Sequence, residues 1–238
     1  MKILVLGDTH GRLVWLDLIE KEKPDYTIFL GDYVSSHDDI SGDQQCSNLE
    51  DILNYKEENP DQVILLRGNH DLQHLRYYWA ECSGYNSVVG LWMSSPWIKE
   101  RFLNLTQWVH IDGNFLFSHA GISKTWFGSL GLGDSTRENL LKINEIDPCE
   151  LFAFTPSRMS DYSGDSVTQP CTWIRPYSLM KDCLPDWKQV VGHTRLKQPG
   201  QFNSFEGGEE IWFIDSLPQS YMIIQDGLGE MRTLEEKG

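Results

Sequence analysis

The chain has 238 residues, 40% hydrophobic and 23% charged, a globular composition that can bury a large core without disulfide or metal staples. Its 20 lysines and arginines stand against 35 aspartates and glutamates, a formal charge of −15. That acidity excludes a protein that coats nucleic acid, which needs many cationic phosphate contacts, but leaves room for a small phosphorylated group in a local pocket. No apolar run approaches membrane-spanning length, and the opening apolar stretch reads as too short for a signal peptide. The five cysteines are widely spaced and form no paired ligand motif, so they read as reduced side chains of a cytoplasmic protein.

In chain order, Ile3 to Leu6 predicts a buried parallel strand, and Leu13 to Glu22 a helix ended by Pro24-Asp25. Tyr26 to Leu30 predicts a second strand, Gln44 to Glu58 a second helix and Val63 to Leu66 a third strand. This alternation implies right-handed crossovers into one sheet. Residues 72–105 are rich in Trp and Tyr and read as irregular helices, either a small cap over the site or aromatics shared among the main layers. Trp108 to Ile111 and Asn114 to Ser118 flank the hairpin signal Asp112-Gly113. Ser135 to Glu145 predicts a helix, and Thr155 to Cys171 a polar, mobile rim. Gln189 to Val191 predicts a short strand. Glu210 to Asp215, Ser220 to Gln225 and Met231 to Leu234 read as antiparallel strands, with Gly227 to Glu230 as the turn between the last two. No internal repeat divides the chain, which reads as a single domain over 1–238.

Five segments share one grammar, in which an apolar run ends and polar ligand-type residues follow at once. They are Leu6-Gly7-Asp8-Thr9-His10, Leu30-Gly31-Asp32, Arg67-Gly68-Asn69-His70-Asp71, Phe117-Ser118-His119-Ala120-Gly121 and Val191-Gly192-His193-Thr194. In an open sheet the carboxyl ends of strands converge on the functional crevice. Each residue alone has an ordinary structural use, such as a helix-capping aspartate or a core histidine. Together they supply carboxylate, amide and imidazole donors that suit Mn, Fe or Zn. His37 and His110 lie outside the pattern and read as surface residues, and His74 reads as a packing histidine.

These blocks resemble the calcineurin-like metallophosphoesterase superfamily, whose pattern is Asp-x-His, Gly-Asp, Gly-Asn-His-Asp/Glu, a distant histidine, and Gly-His-Thr or Gly-His-x-His. The phosphoprotein phosphatase branch and its small bacterial and phage relatives are closest, through Leu66-Arg67-Gly68-Asn69-His70, His119-Ala120-Gly121, Gly192-His193-Thr194-Arg195 and Trp173-Ile174-Arg175. The resemblance implies an α/β fold: a central β-sandwich flanked by helices, in four layers α/β/β/α, with a dinuclear metal site at the strand ends. It implies that Asp8, His10 and Asp32 hold one metal, that Asp32 bridges, and that Asn69, His119 and His193 complete the second. Two divalent transition metal ions are implied, Mn²⁺ first and Fe or Zn as alternatives, and they would activate water for in-line attack on phosphorus. His70 is implied as the general acid, and Arg175, with Arg195 beside it, as the phosphate clamp.

One block departs from the family. Gly31-Asp32-Tyr33-Val34-Ser35-Ser36 has serines where an aspartate supporting the general acid and a phosphate-binding arginine are expected. Asp71 or Asp38 is left to support His70. The expected activity is hydrolysis of phosphate monoesters in the manner of Ser/Thr protein phosphatases. The alternative is hydrolysis of a small nucleotide, such as a dinucleoside polyphosphate or a cyclic phosphodiester. A binding protein with a degenerate metal site is the reading from another class. The expected partners are a phosphorylated small molecule, a nucleotide or a phosphopeptide, with no membrane and no stable nucleic acid complex.

Overall fold

The computed structural model describes residues 1–155 and 165–234. Strand β1 (Lys2–Leu6) is followed by helix α1 (Val14–Glu22), β2 (Tyr26–Phe29), α2 (Gly42–Glu58) and β3 (Val63–Leu65). The three strands lie side by side in parallel, as the alternating pattern predicts. Helix α2 starts two residues earlier than expected, because Ser41 accepts the N–H of Gln44 and the Gln44 side chain returns the bond, a full capping box. The aromatic-rich middle forms α3 (Asn69–His74), α4 (Ser87–Met93) and α5 (Pro96–Leu105). Helices α4 and α5 pack on α2, and their Val89, Met93, Ile98 and Phe102 join the main core.

The second half supplies β4 (Val109–Asp112), β5 (Phe115–Ser118), α6 (Lys124–Ser129), α7 (Arg137–Leu141), α8 (Pro176–Lys181), β6 (Lys188–Val191), β7 (Gly200–Asn203), β8 (Glu210–Phe213), β9 (Ser220–Gln225) and β10 (Leu228–Thr233). Helix α7 runs into a 3₁₀ turn over Lys142–Glu145, so the helix expected over 135–145 is two short pieces. The short elements α6, β7 and α8 carry too little periodicity to be read beforehand. Most of the rim expected over 155–171 lies outside the described residues.

The strands form two five-stranded sheets, ordered β10-β9-β1-β2-β3 and β4-β5-β6-β8-β7. Here the sequence reading needs correction. Strand β8 does not pair with β9; it lies parallel to β6 in the other sheet and antiparallel only to β7. The turn between β9 and β10 is Asp226-Gly227, not Gly227 to Glu230. Both residues have positive φ (53° and 78°), the twist a two-residue hairpin requires.

Side-chain alternation builds the layers. In β1, Ile3 and Val5 face the second sheet with Ile28, Phe117, Val190, Trp212 and Met222, while Leu4 and Leu6 face outward into the helices with Trp15, Leu49 and Ile52. A third cluster under α8 joins Leu179 and Ile174 to Val191, Ile211 and Phe213. The result is the expected sandwich of two sheets flanked by helices. Strands β1, β2 and β3 are mutually parallel, as are β5, β6 and β8, so each triplet ends on one edge of its sheet.

Candidate metal and phosphate site

All five motif segments begin where one of these strands ends. Asp8 and His10 follow β1, Asp32 follows β2, Asn69 and His70 follow β3, His119 follows β5 and His193 follows β6. Three of the positions, His10, Asp32 and His193, have φ of 46°, 51° and 62°. A left-handed backbone costs a non-glycine residue roughly 1–2 kcal/mol, and such strain persists where the surroundings enforce it, often at functional sites. Gly68 allows a close approach, since a Cβ there would collide with the Asp32 carboxylate.

The side chains meet in two groups that share Asp32. Asp8, His10 and Asp32 present ligand atoms within 4.8 Å of one another, and so do Asp32, His119 and His193. Asn69 Oδ1 lies 3.0 Å from both His119 Nε2 and His193 Nδ1. His10 Nδ1 is 2.7 Å from the Val34 carbonyl, and His119 Nδ1 is 2.8 Å from the Leu30 carbonyl. A carbonyl only accepts, so both Nδ1 atoms carry a proton and both rings turn Nε2 to the cluster, the arrangement that orients imidazole ligands. Among the described residues, His193 Nε2 is buried without a hydrogen-bond partner while its Nδ1 faces the cluster.

Electrostatics point the same way. Burial, with Asp215 and Asp32 nearby, raises the Asp8 carboxyl well above the usual range. Burial also works upward on Asp32, but His119 and His70 outweigh it and hold that carboxyl low. Burial works downward on His119, but Asp32 and Asp8 push its imidazole up to about 10. Burial keeps His193 well below the ordinary imidazole value. Two buried aspartates demand positive charge, and the donors around them are those divalent transition metals take. The residues therefore fit a pair of divalent cations.

Two adjoining clefts open onto the cluster. One, of about 320 Å³, is lined by Asn69, His70, Cys82, Phe154, Trp173, Arg175 and His193. The other, of about 220 Å³, is lined by Asp8, His10, Asp32, His37, Arg195 and Asp215. Arg175 donates to Thr194 Oγ1 at 3.0 Å, and Arg195 donates to the Leu217 carbonyl at 2.6 Å. A neighbouring cleft of about 420 Å³ carries Arg76, Tyr77, Tyr78 and Tyr85 and meets the first across Glu81 and Cys82.

Several expectations change. Asp71 does not orient His70. Its fully buried carboxylate accepts the backbone N–H groups of Asp32, Tyr33 and Gly68, each at 2.9 Å. Asp38 is paired with Arg12 at 2.8 Å. His37 is exposed, as expected, and stands at the mouth of the second cleft, its ring 6.0 Å from that of His10 and 6.3 Å from that of His70. His110 is half-buried on β4 against Phe117, and burial lowers it to about 4. His74 packs as expected: it is buried, its Nδ1 bonds the His70 carbonyl and its Nε2 accepts the Asn86 N–H. Asp215 was missed. It lies two residues beyond β8, the sixth strand end on this edge, but no glycine or histidine marks it in the sequence.

Comparison with known proteins agrees with this geometry. A PP2A-like serine/threonine-protein phosphatase of Candida albicans is 30% identical over 131 residues, 51% of this chain and 29% of that protein's length. The chain thus matches less than a third of that relative. The fold matches a cold-active protein-tyrosine phosphatase of a Shewanella species, with a TM-score of 0.62 and 19% identity over 98% of this chain and 80% of the other. It also matches a Saccharomyces cerevisiae protein serine/threonine phosphatase with similarity to human PP5, with a TM-score of 0.56 and 18% identity over 100% of this chain and 81% of the other. The family model of the calcineurin-like phosphoesterases covers residues 1–210, and the chain belongs to that family of phosphate-ester hydrolases.

Proposed function

We propose that the protein is a metal-dependent phosphomonoesterase, acting as a single catalytic domain with chemistry like that of the Ser/Thr protein phosphatases. The observation that carries this reading is the convergence of Asp32, Asn69, His119 and His193 on one point, beside a cleft walled by Arg175. Asp8, His10 and Asp32 hold one cation, and Asp32, Asn69, His119 and His193 hold the other. When bound, the two cations supply Lewis acidity, lowering the pKa of water and neutralising phosphate charge. Asp32 serves both groups because a carboxylate has two oxygens to share, and Asn69 adds a neutral donor without overcharging the cluster. Mn²⁺ suits this oxygen and imidazole set, with Fe and Zn as the other fits.

The remaining residues handle the substrate. Arg175 offers a fork of N–H donors for two terminal phosphate oxygens, a contact that favours a monoester over a diester. Arg195 adds positive charge on the far side, near Asp215. His70 meets the departing oxygen through its ring N–H. Phe154 and Trp173 give the cleft an aromatic wall against the organic part of the ester. Five free cysteines support a reducing, cytoplasmic setting.

The test is a substrate panel on protein purified with Mn²⁺: p-nitrophenyl phosphate, its bis ester, phosphopeptides and dinucleoside polyphosphates. Faster turnover of the monoesters supports the reading. Faster turnover of the bis ester or the dinucleotide replaces it with the nucleotide hydrolase.

A further inference from the structure

Gln73 sits one helical turn after His70 on α3 and is almost fully buried. Its side-chain Nε2 is 3.2 Å from His70 Nδ1, 3.2 Å from Ser35 Oγ and 3.0 Å from the Ser83 carbonyl. Its Oε1 accepts the Cys82 backbone N–H at 3.4 Å. These two backbone groups fix which way the amide points. A carbonyl only accepts and a backbone N–H only donates, so the nitrogen belongs on the Ser83 side and the oxygen on the Cys82 side. The group facing His70 Nδ1 is therefore a donor. An amide nitrogen has no lone pair to receive a proton, so an N–H on Nδ1 would face it unpaired.

The other neighbour of Nδ1 is compatible with this. Cys82 Sγ lies 3.7 Å from His70 Nδ1 and 3.7 Å from Asn69 Nδ2. Asn69 turns its oxygen to the histidine cluster, so its NH₂ donates to the sulfur, and the thiol hydrogen is free to point at Nδ1. The amide has two hydrogens: the nearer acceptor, the Ser83 carbonyl, takes one, and Ser35 Oγ and His70 Nδ1, both at 3.2 Å, share the other. Asp71 and Asp38, the nearby carboxylates that could have accepted from Nδ1, are engaged elsewhere.

The geometry points to Gln73 as the positioning residue for His70: it holds Nδ1 as an acceptor and so places the ring proton on Nε2, where it hydrogen-bonds the departing oxygen. This rests on the phosphomonoesterase reading and narrows its substrate class. A carboxylate in this place would accept Nδ1–H and help His70 hand over a whole proton, which alkyl leaving groups need. An amide N–H gives no such help. The site suits esters whose departing oxygen is stable as an anion, aryl phosphates ahead of alkyl phosphates.

The experiment has two readouts. Histidine ring ¹⁵N spectra of the Zn²⁺-loaded protein should show His70 with the proton on Nε2 and none on Nδ1, and Gln73→Glu should move proton density onto Nδ1. Kinetics over a series of aryl and alkyl phosphates should show a steep fall with leaving-group basicity. That fall should become shallower, by about tenfold or more in the aryl-to-alkyl ratio, in Gln73→Glu, while Gln73→Met loosens the ring without restoring alkyl turnover. A proton on Nδ1 in the unsubstituted protein overturns the inference, as does an unchanged ratio in a folded Gln73→Glu variant. Absence of monoesterase activity alongside the expected tautomer would overturn the functional reading and leave the role of Gln73 in orienting His70 standing.

Discussion

Asp71 Oδ2 accepts the backbone N–H of Asp32 at 2.9 Å, while Oδ1 accepts that of Tyr33 at the same distance. A buried carboxylate at the start of α3 thus pins the loop that carries Asp32, the residue common to both ligand-type groups. Asp32 returns the link by accepting the His70 N–H at 2.9 Å. The strand ends of β2 and β3 are locked together through their backbones, and the left-handed φ of Asp32 is held by this lock.

This lock makes Asp71 a support for the loop. Asp71→Asn puts an NH₂ where a backbone N–H must be accepted, a loss of about 1–3 kcal/mol. The urea midpoint should fall, and metal affinity should fall with it because Asp32 shifts. Unchanged stability with a selective loss of turnover would instead put Asp71 in the chemistry.

The place of Asp32 in both groups predicts a sharper result. Asp32→Asn should lower turnover by at least about 10²-fold with the fold retained, because both cation sites lose a charge. His193→Ala should empty only the Asn69–His119 side. Metal analysis should read near two ions in the unsubstituted protein and near one in His193→Ala. Equal stoichiometry in both would remove His193 from the ligand set.

What the sequence made legible follows from local physics. Apolar runs ending in Gly-Asp, Gly-Asn-His or Gly-His mark strand ends, because the backbone must turn sharply where a ligand is presented; that exposed β1, β2, β3, β5 and β6 and six candidate ligands. Asp215 stayed hidden because Ile214-Asp215-Ser216 looks like any strand exit. Its importance comes from β8 lying parallel to β6, a long-range pairing that no local pattern encodes. Gln73 was hidden for the same reason. Its amide matters only because Ser35, Ser83 and Cys82, from two other segments, fold around it.

Far from the site, Glu22 predicts an acid-dependent loss of stability. Burial works upward on its carboxyl, but Lys2, the Tyr221 hydroxyl and Arg232 outweigh it, so the folded value lies below the ordinary one. A depressed carboxylate stabilises the fold fully above the unfolded pKa of about 4.3. That stability is lost as pH falls through the lower folded value. Glu22→Gln should therefore destabilise the protein at pH 7, and the gap from the unsubstituted protein should close below about pH 4. Urea midpoints of both proteins across that range read it out; a gap that widens toward acid would refute the assignment.

The last prediction concerns Arg175. Burial pulls its guanidinium down from its usual value, yet Asp32 and Asp8 work the other way, and an arginine stays charged under all such influences. It precedes Pro176, the first residue of α8, and borders the cleft beside His193. Its place at a helix start, with Thr194 Oγ1 3.0 Å from Nη1, gives the fork a fixed orientation before substrate arrives. A charge-assisted hydrogen bond contributes roughly 1.5–3 kcal/mol, so Arg175→Ala should weaken inorganic phosphate binding and monoester turnover by about 10- to 10²-fold. Metal content should stay unchanged, because Arg175 donates no lone pair. Arg175→Lys should recover only part of the loss, since an ammonium is a point charge without the paired geometry. Bis(p-nitrophenyl) phosphate serves as the internal control. A diester has no terminal phosphate dianion to clamp, so its turnover should fall much less than that of p-nitrophenyl phosphate. An equal loss on both esters with the metals retained would place Arg175 in the general electrostatics of the cleft and move the clamp to Arg195.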